Sequence, residues 1–180
     1  GPATLLDGPG ALAGSLRLLP PEGWTSDPTT RIEASGGRGG TARAEITHRR
    51  QCGAWTLLGA GAWRQRDRWP LPPDSRSAAS GDTWRANSDL EQGSLLLRAA
   101  RPVALTGRLS LLAVAWTGEQ GVPAELHLGD QARFWRYPVR ERAILGTALT
   151  LPLADSAWDL GVTAAVDLHH QEIDPRGPGL

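Results

Sequence analysis

The residues with the clearest potential for chemistry lie near the carboxyl-terminal end of the sequence. His169 and His170 stand between Asp167 and Glu172, and imidazole and carboxylate groups are common metal ligands. Adjacent side chains of a β-strand point to opposite faces, so these two histidines cannot easily bind one ion. The spacing favours the solvated end of a strand, and we predict no metal site.

A row of arginines precedes these histidines. Arg136, Arg140 and Arg142 share one parity along a predicted strand, so we expect their side chains on one face. Guanidinium groups bind carboxylates in a bidentate manner, and such a row could contact an anionic ligand. The alternative, which we favour, is that these arginines are partners of a plug that is not part of this sequence, or of loops. Asp167 and His169 are predicted on the polar face of the last strand.

No motif in the sequence indicates an enzyme. Cys52 is the single cysteine and can form no internal disulfide. The glycine-rich segment GGRGG, residues 36–40, lies between two predicted strands, whereas a phosphate-binding loop precedes a helix. We find no CxxC pair, HExxH helix or Gly-x-Ser-x-Gly elbow, and therefore predict no catalytic residue and no cofactor.

The composition excludes several classes. The 180 residues carry 19 basic residues and 19 acidic ones, so no basic excess indicates nucleic-acid binding. The longest strongly apolar run, Leu111 to Trp116, is too short for a transmembrane helix. A transmembrane strand needs only about ten alternating residues, so a membrane location stays open.

The dominant pattern beyond residue 28 is strict alternation of apolar and polar residues, which is typical of half-buried β-strands. We expect a first hairpin in which Ser35 faces Thr41 across a five-residue loop. That register gives two complementary charge pairs, Glu33 with Arg43 and Arg31 with Glu45. The two last strands are predicted to pair their apolar faces without a bulge, namely Leu153 with Trp158, Leu151 with Leu160 and Leu149 with Val162.

The predicted connections alternate in length. Residues 49–53, 101–103 and 154–157 are short connections, whereas 64–87 and about 118–132 are long. Outer-membrane barrels have short turns on one side and long loops on the other. We therefore predict an all-β fold, an antiparallel up-and-down meander of about seven strands that forms part of a large transmembrane β-barrel.

Two tryptophans are consistent with this prediction. Trp55 and Trp63 lie eight residues apart on one strand face, about 26 Å along a strand and about 20 Å of membrane depth at a tilt of about 40°. The apolar band between aromatic girdles is about 25 Å tall. Half-buried tryptophans of a soluble sheet remain an equally open interpretation.

The opening segment GPATLLDGPGALAGSLRLLP combines a Gly-Pro-Ala start, a Leu-x-Gly turn, a small-residue step and a short hydrophobic strand. This order resembles the closing segment of the plug domain in TonB-dependent outer-membrane transporters. The resemblance is carried by Gly1, Pro2, Ala3, Leu6, Gly8, Ala11 and Gly14. Glycines at these positions let a tightly turned backbone pass close to a barrel wall.

The resemblance implies a domain organisation. Residues 1–28 would be the C-terminal end of the plug with its linker, and residues 29–180 the N-terminal part of the transmembrane barrel. Transporters of this kind consist of a plug inside a barrel of about twenty-two strands. We therefore expect the chain, which contains no methionine, to be a piece of a longer protein.

The resemblance also implies a function. Members of this family take up a scarce ligand, such as a siderophore, haem, cobalamin or an oligosaccharide, across the bacterial outer membrane. The implied partners are outer-membrane lipid, the ligand, and the TonB energy-coupling protein, which would act through a part of the plug that precedes these residues. Arg136, Arg140, Arg142, Asp167 and His169 would face the lumen, where they could contact an anionic siderophore.

A second interpretation belongs to another class of protein. A soluble, secreted β-domain could bind carbohydrate through exposed tryptophans, with Trp84, Trp116 and Trp135 as the candidates. The two interpretations differ in what covers the apolar strand faces, which is lipid in the first and a second sheet in the other.

Overall fold

A computed structural model describes residues 28–71, 83–103, 107–123, 134–152 and 159–175 of the chain. In this part of the chain all regular structure is β. The strands are β1 (Thr29–Gly37), β2 (Thr41–Cys52), β3 (Trp55–Arg66), β4 (Trp69–Pro70), β5 (Trp84–Arg85), β6 (Leu90–Val103), β7 (Gly107–Val122), β8 (Trp135–Pro152) and β9 (Asp159–Gln171).

Seven strands form one antiparallel sheet in the order β1-β2-β3-β6-β7-β8-β9, and β4 and β5 form a separate two-stranded sheet. This confirms the predicted meander of about seven strands. Strands β1 and β9 are the two edges of the sheet. The described residues include no helix long and apolar enough to cross a membrane.

The strands extend into four of the five predicted connections. Residues 49–52 complete β2, 64–66 complete β3, 101–103 complete β6 and 118–122 complete β7. The connection between β1 and β2 lies at the same end of the sheet as the two long connections, yet it spans only residues 38–40. We call this end the loop-side end and the other end the turn-side end.

The register of the first hairpin also corrects the prediction. Gly37 pairs with Thr41, so the connection has three residues and the pairing is shifted by two positions. Gly39 and Gly40 have φ angles of 72° and 66°, a backbone conformation that glycine adopts without steric cost and that closes the tighter turn. The shift also places Ile32 opposite Ile46.

The predicted cross-strand charge pairs of this hairpin are consequently wrong. Glu33 lies opposite Glu45, and like charges in that position repel each other. Each carboxylate is instead bound by the arginine two residues before it in its own strand, Arg31 with Glu33 and Arg43 with Glu45. Residues two apart share a strand face, so both ion pairs lie on the same side of the sheet.

The last hairpin has the predicted register. Leu151 pairs with Leu160 and Leu149 with Val162, so the apolar residues of the two strands coincide. The third predicted pair, Leu153 with Trp158, lies outside the described residues. So do residues 1–27, and with them the predicted end of the plug and its motif residues Gly1, Pro2, Ala3, Leu6, Gly8, Ala11 and Gly14.

The pairings align the alternation of all seven strands, so that the sheet has two chemically distinct faces. The apolar face carries Ile32, Ile46, Leu57, Leu95, Leu97, Leu111, Leu145, Leu149, Val162, Val166 and Leu168. The polar face carries Arg43, Glu45, Arg64, Gln92, Arg98, Arg142 and Asp167.

Little of this sheet is buried. In the described part of the chain the only fully buried apolar residues are Ala100 and Leu71, and the only buried polar residue is Ser88. On the apolar face Ile32 is 72% exposed, Leu145 58% and Leu168 62%. The described residues thus form a single layer with both faces open.

The tight turn of the first hairpin can be tested by substitution. Gly39→Ala is expected to destabilise the protein by at least about 2 kcal/mol, for two reasons. The new Cβ would clash with the backbone carbonyl of Arg68, and alanine is strained at a positive φ. Gly53→Ala is the control, since Gly53 has a φ of 59° and open space around it. It should cost about 1 kcal/mol. Urea-induced unfolding measures both, and equal losses would contradict the close approach.

Candidate functional site

A β-bulge in β8 decides where the predicted row of arginines points. The pairing of β7 with β8 shifts between Gly118 and Gln120, so that Pro138 and Val139 together lie opposite Glu119. An extra residue in one strand reverses its alternation beyond that point. The row of equal parity is therefore divided. Arg140 and Arg142 lie on the polar face, whereas Arg136 lies on the opposite side of the sheet.

Arg140 lies between two aromatic rings. Its guanidinium carbon is 5.2 Å from the ring centre of Trp116 and 5.2 Å from that of Tyr137, distances at which a cation is attracted by the ring electrons. Its Nη1 donates a hydrogen bond of 2.9 Å to Gln120, while the buried Nε has no hydrogen-bond partner. The described contacts of Arg140 are thus all with neutral groups.

Arg142 forms an ion pair with one of the other predicted residues. Its Nε and Nη2 donate hydrogen bonds of 2.9 and 2.5 Å to the two carboxylate oxygens of Asp167, a bidentate geometry. His169 is the direct register partner of Arg142 in β9. These three residues line an open groove of about 820 Å³ together with Ser94, Trp116 and their strand neighbours.

Arg136 instead joins neighbouring segments at the loop-side end of the sheet. Its Nη2 lies 2.8 Å from Asp89 and 3.3 Å from Glu119, and its backbone pairs with Asp174 beyond β9. Burial acts to lower the pKa of Arg136, but the hydrogen bonds and charges of Asp89 and Glu119 outweigh it and raise that pKa. Arg136 therefore connects structural elements at this end of the sheet.

The partners of the three arginines indicate which of them is best able to bind an anion. Asp167 already neutralises Arg142, and two carboxylates neutralise Arg136. Arg140 is the member of the row whose described partners leave its charge uncompensated. Arg140 is not among the described residues that line the groove, so an anion bound to Arg140 would lie at the loop-side edge of the groove. An anion inside the groove would meet Arg142 only by displacing Asp167.

The structure also brings together three arginines that the sequence reasoning missed. Arg43 pairs with Arg64 across β2 and β3, and Arg66 follows two residues later on the same face. Only the register joins these residues, because 21 positions separate Arg43 from Arg64 in the sequence. A correct register for β2 with β3 would have been the signal that found them.

Ser88 fixes the segment beside this second arginine group. Its hydroxyl accepts a hydrogen bond of 2.8 Å from the backbone N–H of Trp69 and donates one of 2.7 Å to the carbonyl of Arg85. The carbonyl of Ser88 accepts a bond of 3.0 Å from Arg66. A buried hydroxyl that is fully bonded holds the two-stranded sheet of β4 and β5 against the end of β3.

The three tryptophans proposed as a carbohydrate platform have separate contacts. Trp84 packs beneath Arg68, with 5.0 Å between the guanidinium carbon and the ring centre, and Trp116 packs beneath Arg140. Trp135 is 38% exposed. The contacts of the described residues join none of the three rings to another.

The described part of the chain holds no group of three or more His, Cys, Asp or Glu side chains placed to bind a metal ion. His169 and His170 point to opposite faces of β9, and His170 lies 3.4 Å from Glu172. Cys52 is a free, exposed thiol at the end of β2. No family model, curated protein or solved structure matches the chain.

The different roles of Arg136 and Arg142 predict different costs of substitution. Arg136→Gln should destabilise the protein by about 1 kcal/mol, because it leaves two carboxylates without their partner in a partly screened environment. Arg142→Gln should cost less, since that pair lies at a solvent-exposed position. Urea-induced unfolding compares them, and a larger loss from Arg142→Gln would contradict the structural role of Arg136.

Proposed function

We propose that this sheet is part of the wall of a transmembrane β-barrel in the bacterial outer membrane, and that the parent protein is a TonB-dependent receptor. The observation that supports this most strongly is the distribution of exposed apolar side chains. Of the large apolar residues that are exposed, eleven lie on the apolar face of the seven-stranded sheet and extend from Ile32 in β1 to Leu168 in β9.

An apolar surface of this extent is rare on a protein surrounded by water. Contact with hydrocarbon removes the free-energy cost of exposing this surface to water, because lipid chains are as apolar as leucine side chains. Backbone N–H and C=O groups inside a bilayer must be hydrogen-bonded within the protein. The interior of the sheet meets this requirement, since every strand between the two edges pairs on both sides. Strands β1 and β9 would pair with further strands of a closed wall.

The ends of the apolar face support the same proposal. At the loop-side end the apolar residues of β6, β7 and β8 give way to Glu91, Glu119 and Glu141, and at the turn-side end to Arg101 in β6. Between Glu141 and the end of β8, the apolar face carries Ala143, Leu145, Thr147, Leu149 and Leu151. Those residues cover about 26 Å along the strand, or about 20 Å of membrane depth at a tilt of about 40°. This approaches the apolar band of known barrels, which is about 25 Å tall.

Two tryptophans lie at the borders of this face with polar partners. The ring of Trp55 lies 5.4 Å from the guanidinium carbon of Arg101, and the indole N–H of Trp63 donates a hydrogen bond of 3.2 Å to Glu91. An indole with an apolar body and a bonded polar edge is favourable at a membrane surface. Both residues lie on the apolar face of β3, eight positions apart, as the sequence spacing predicts.

The polar face would then line the lumen, and the groove lined by Arg142, Asp167 and His169, with Arg140 at its loop-side edge, would be the ligand side of the wall. The ligand class that fits Arg140 is a small anion, such as a carboxylate-bearing siderophore. The link to TonB rests on the resemblance of the opening segment, and coupling would act through plug residues outside this chain. A soluble carbohydrate-binding domain is the competing proposal.

Two alanines of β9 provide a matched test of the lipid-facing surface. Ala164 lies opposite Thr147 on the apolar face, and Ala165 lies opposite Gly146 on the polar face; both are exposed. Ala164→Arg should destabilise the protein in phospholipid vesicles by about 2 to 4 kcal/mol, because it places a guanidinium group near the middle of the bilayer.

Ala165→Arg is the control and should change stability by less than about 0.5 kcal/mol, as a substitution on a solvated surface does. Urea-induced unfolding from vesicles, followed by tryptophan fluorescence, gives both values. If the two variants are equally stable, or if the protein folds in water without lipid and tolerates both, the membrane proposal fails and the soluble domain is supported.

A further inference from the structure

A second groove lies on the polar face near the loop-side end of β2 and β3. Its volume is about 470 Å³. Among the described residues its polar lining consists of arginine, hydroxyl and amide side chains and includes no carboxylate. The polar lining residues on this face are Thr41, Arg43, Arg64, Arg66, Gln92 and Ser94.

The three arginines of this groove lie close to one another. Arg43 is the direct register partner of Arg64, a position in which side chains begin about 5 Å apart and like charges repel each other. Arg66 is two residues from Arg64 on the same face of β3. Burial and the positive charge of Arg64 lower the pKa of Arg66, and they outweigh the negative charge of Asp89, which acts to raise it.

The hydrogen bonds and the ring contact of two of these guanidinium groups are with neutral groups, and Asp89 is the carboxylate whose charge reaches Arg66. Arg64 donates hydrogen bonds of 3.2 and 2.6 Å to the amide oxygen of Gln92. Arg66 donates to the carbonyl of Ser88 and lies 4.5 Å above the ring of Trp69. Neutral acceptors and an aromatic ring fix the direction of a guanidinium group but leave its charge available.

We propose that this groove, the Arg43–Arg64–Arg66 groove, is a binding site for a small oxyanion carried by a phosphate or a carboxylate group. Such an anion would relieve the repulsion between Arg43 and Arg64 and accept hydrogen bonds from the planar guanidinium groups. Ser94 adds a hydroxyl group to the lining, whereas the hydroxyl of Thr41 already donates a hydrogen bond of 2.9 Å to the carbonyl of Arg38. Arg43, which already binds Glu45, contributes mainly through its position.

The inference does not depend on the membrane proposal. It requires only the register of β2 with β3 and the fixed position of Arg66 beside Ser88. The groove is also separate from the one at Arg140 and Arg142, because it lies on β2, β3 and β6, whereas that groove lies on β6 to β9.

Chemical protection of the full chain tests the site directly. Phenylglyoxal, which modifies accessible arginines, is applied with no added anion, with inorganic phosphate or with citrate, at constant ionic strength, and peptide mass spectrometry reads each arginine. We expect phosphate, citrate or both to slow modification of Arg64 and Arg66 while Arg101 on the apolar face reacts as before. Protection by phosphate alone identifies a phosphoryl ligand, and protection by citrate alone a carboxylate.

Variants provide the second measurement. Arg64→Gln and Arg66→Gln should each weaken binding of the protecting anion, measured by equilibrium dialysis, by at least about tenfold, since a charge-assisted hydrogen bond is lost. Arg64→Lys should retain part of the affinity because it keeps the charge without the planar fork. Arg101→Gln is the control and should bind as the unaltered chain does.

The proposal is overturned if neither anion protects Arg64 and Arg66 more than Arg101 at millimolar concentration. It is also overturned if Arg64→Gln and Arg66→Gln bind the anion as well as the Arg101→Gln control. The protection measurement uses the unaltered chain, so it decides the matter even if a variant fails to fold.

Discussion

The backbone pairing between antiparallel neighbours is the interaction on which the rest of this structure depends. Side chains alternate across a strand, so each register fixes which side chains share a face with those of the next strand. Six successive pairings keep this relation from β1 to β9, and the described sheet has no second layer to cover either side. Its faces must therefore be matched to two different surroundings, and the sequence supplies one apolar face and one rich in arginine.

The places where the alternation is interrupted are those where charged groups gather. The bulge of β8 places Tyr137 on the polar face beside Arg140 and leaves Arg136 on the other side with Asp89 and Glu119. The two-residue turn between β2 and β3 sets the register that brings Arg43 beside Arg64. In both cases one or two backbone positions decide whether a guanidinium group is neutralised by a carboxylate or remains available to an anion.

The sequence predicts the strands and their order because period-two alternation is a local property that tertiary packing reinforces. It predicts the register of β8 with β9, where leucines and valines on both strands agree on one pairing. It fails for β1 and β2, since two positive φ angles at Gly39 and Gly40 shorten the turn and outweigh the charge pairs predicted for the longer one. The alternation of apolar and polar residues does not reveal the bulge in β8. The common parity of Arg136 and Arg140 therefore predicts one face for two side chains that lie on opposite faces. The Arg43–Arg64–Arg66 groove depends on both register and loop contacts, which no single segment contains.

The central claim, that one face of a single-layer sheet contacts lipid, is tested most directly by spin labels placed singly along residues 159–171 of β9, with Cys52 replaced, in vesicles. Collision with molecular oxygen reports hydrocarbon, and collision with a water-soluble nickel complex reports water. The account predicts oxygen maxima at the even positions Leu160, Val162, Ala164, Val166 and Leu168, and nickel maxima at the odd positions between them. Low collision with both reagents at the even positions, or equal collision with nickel at all positions, would contradict it.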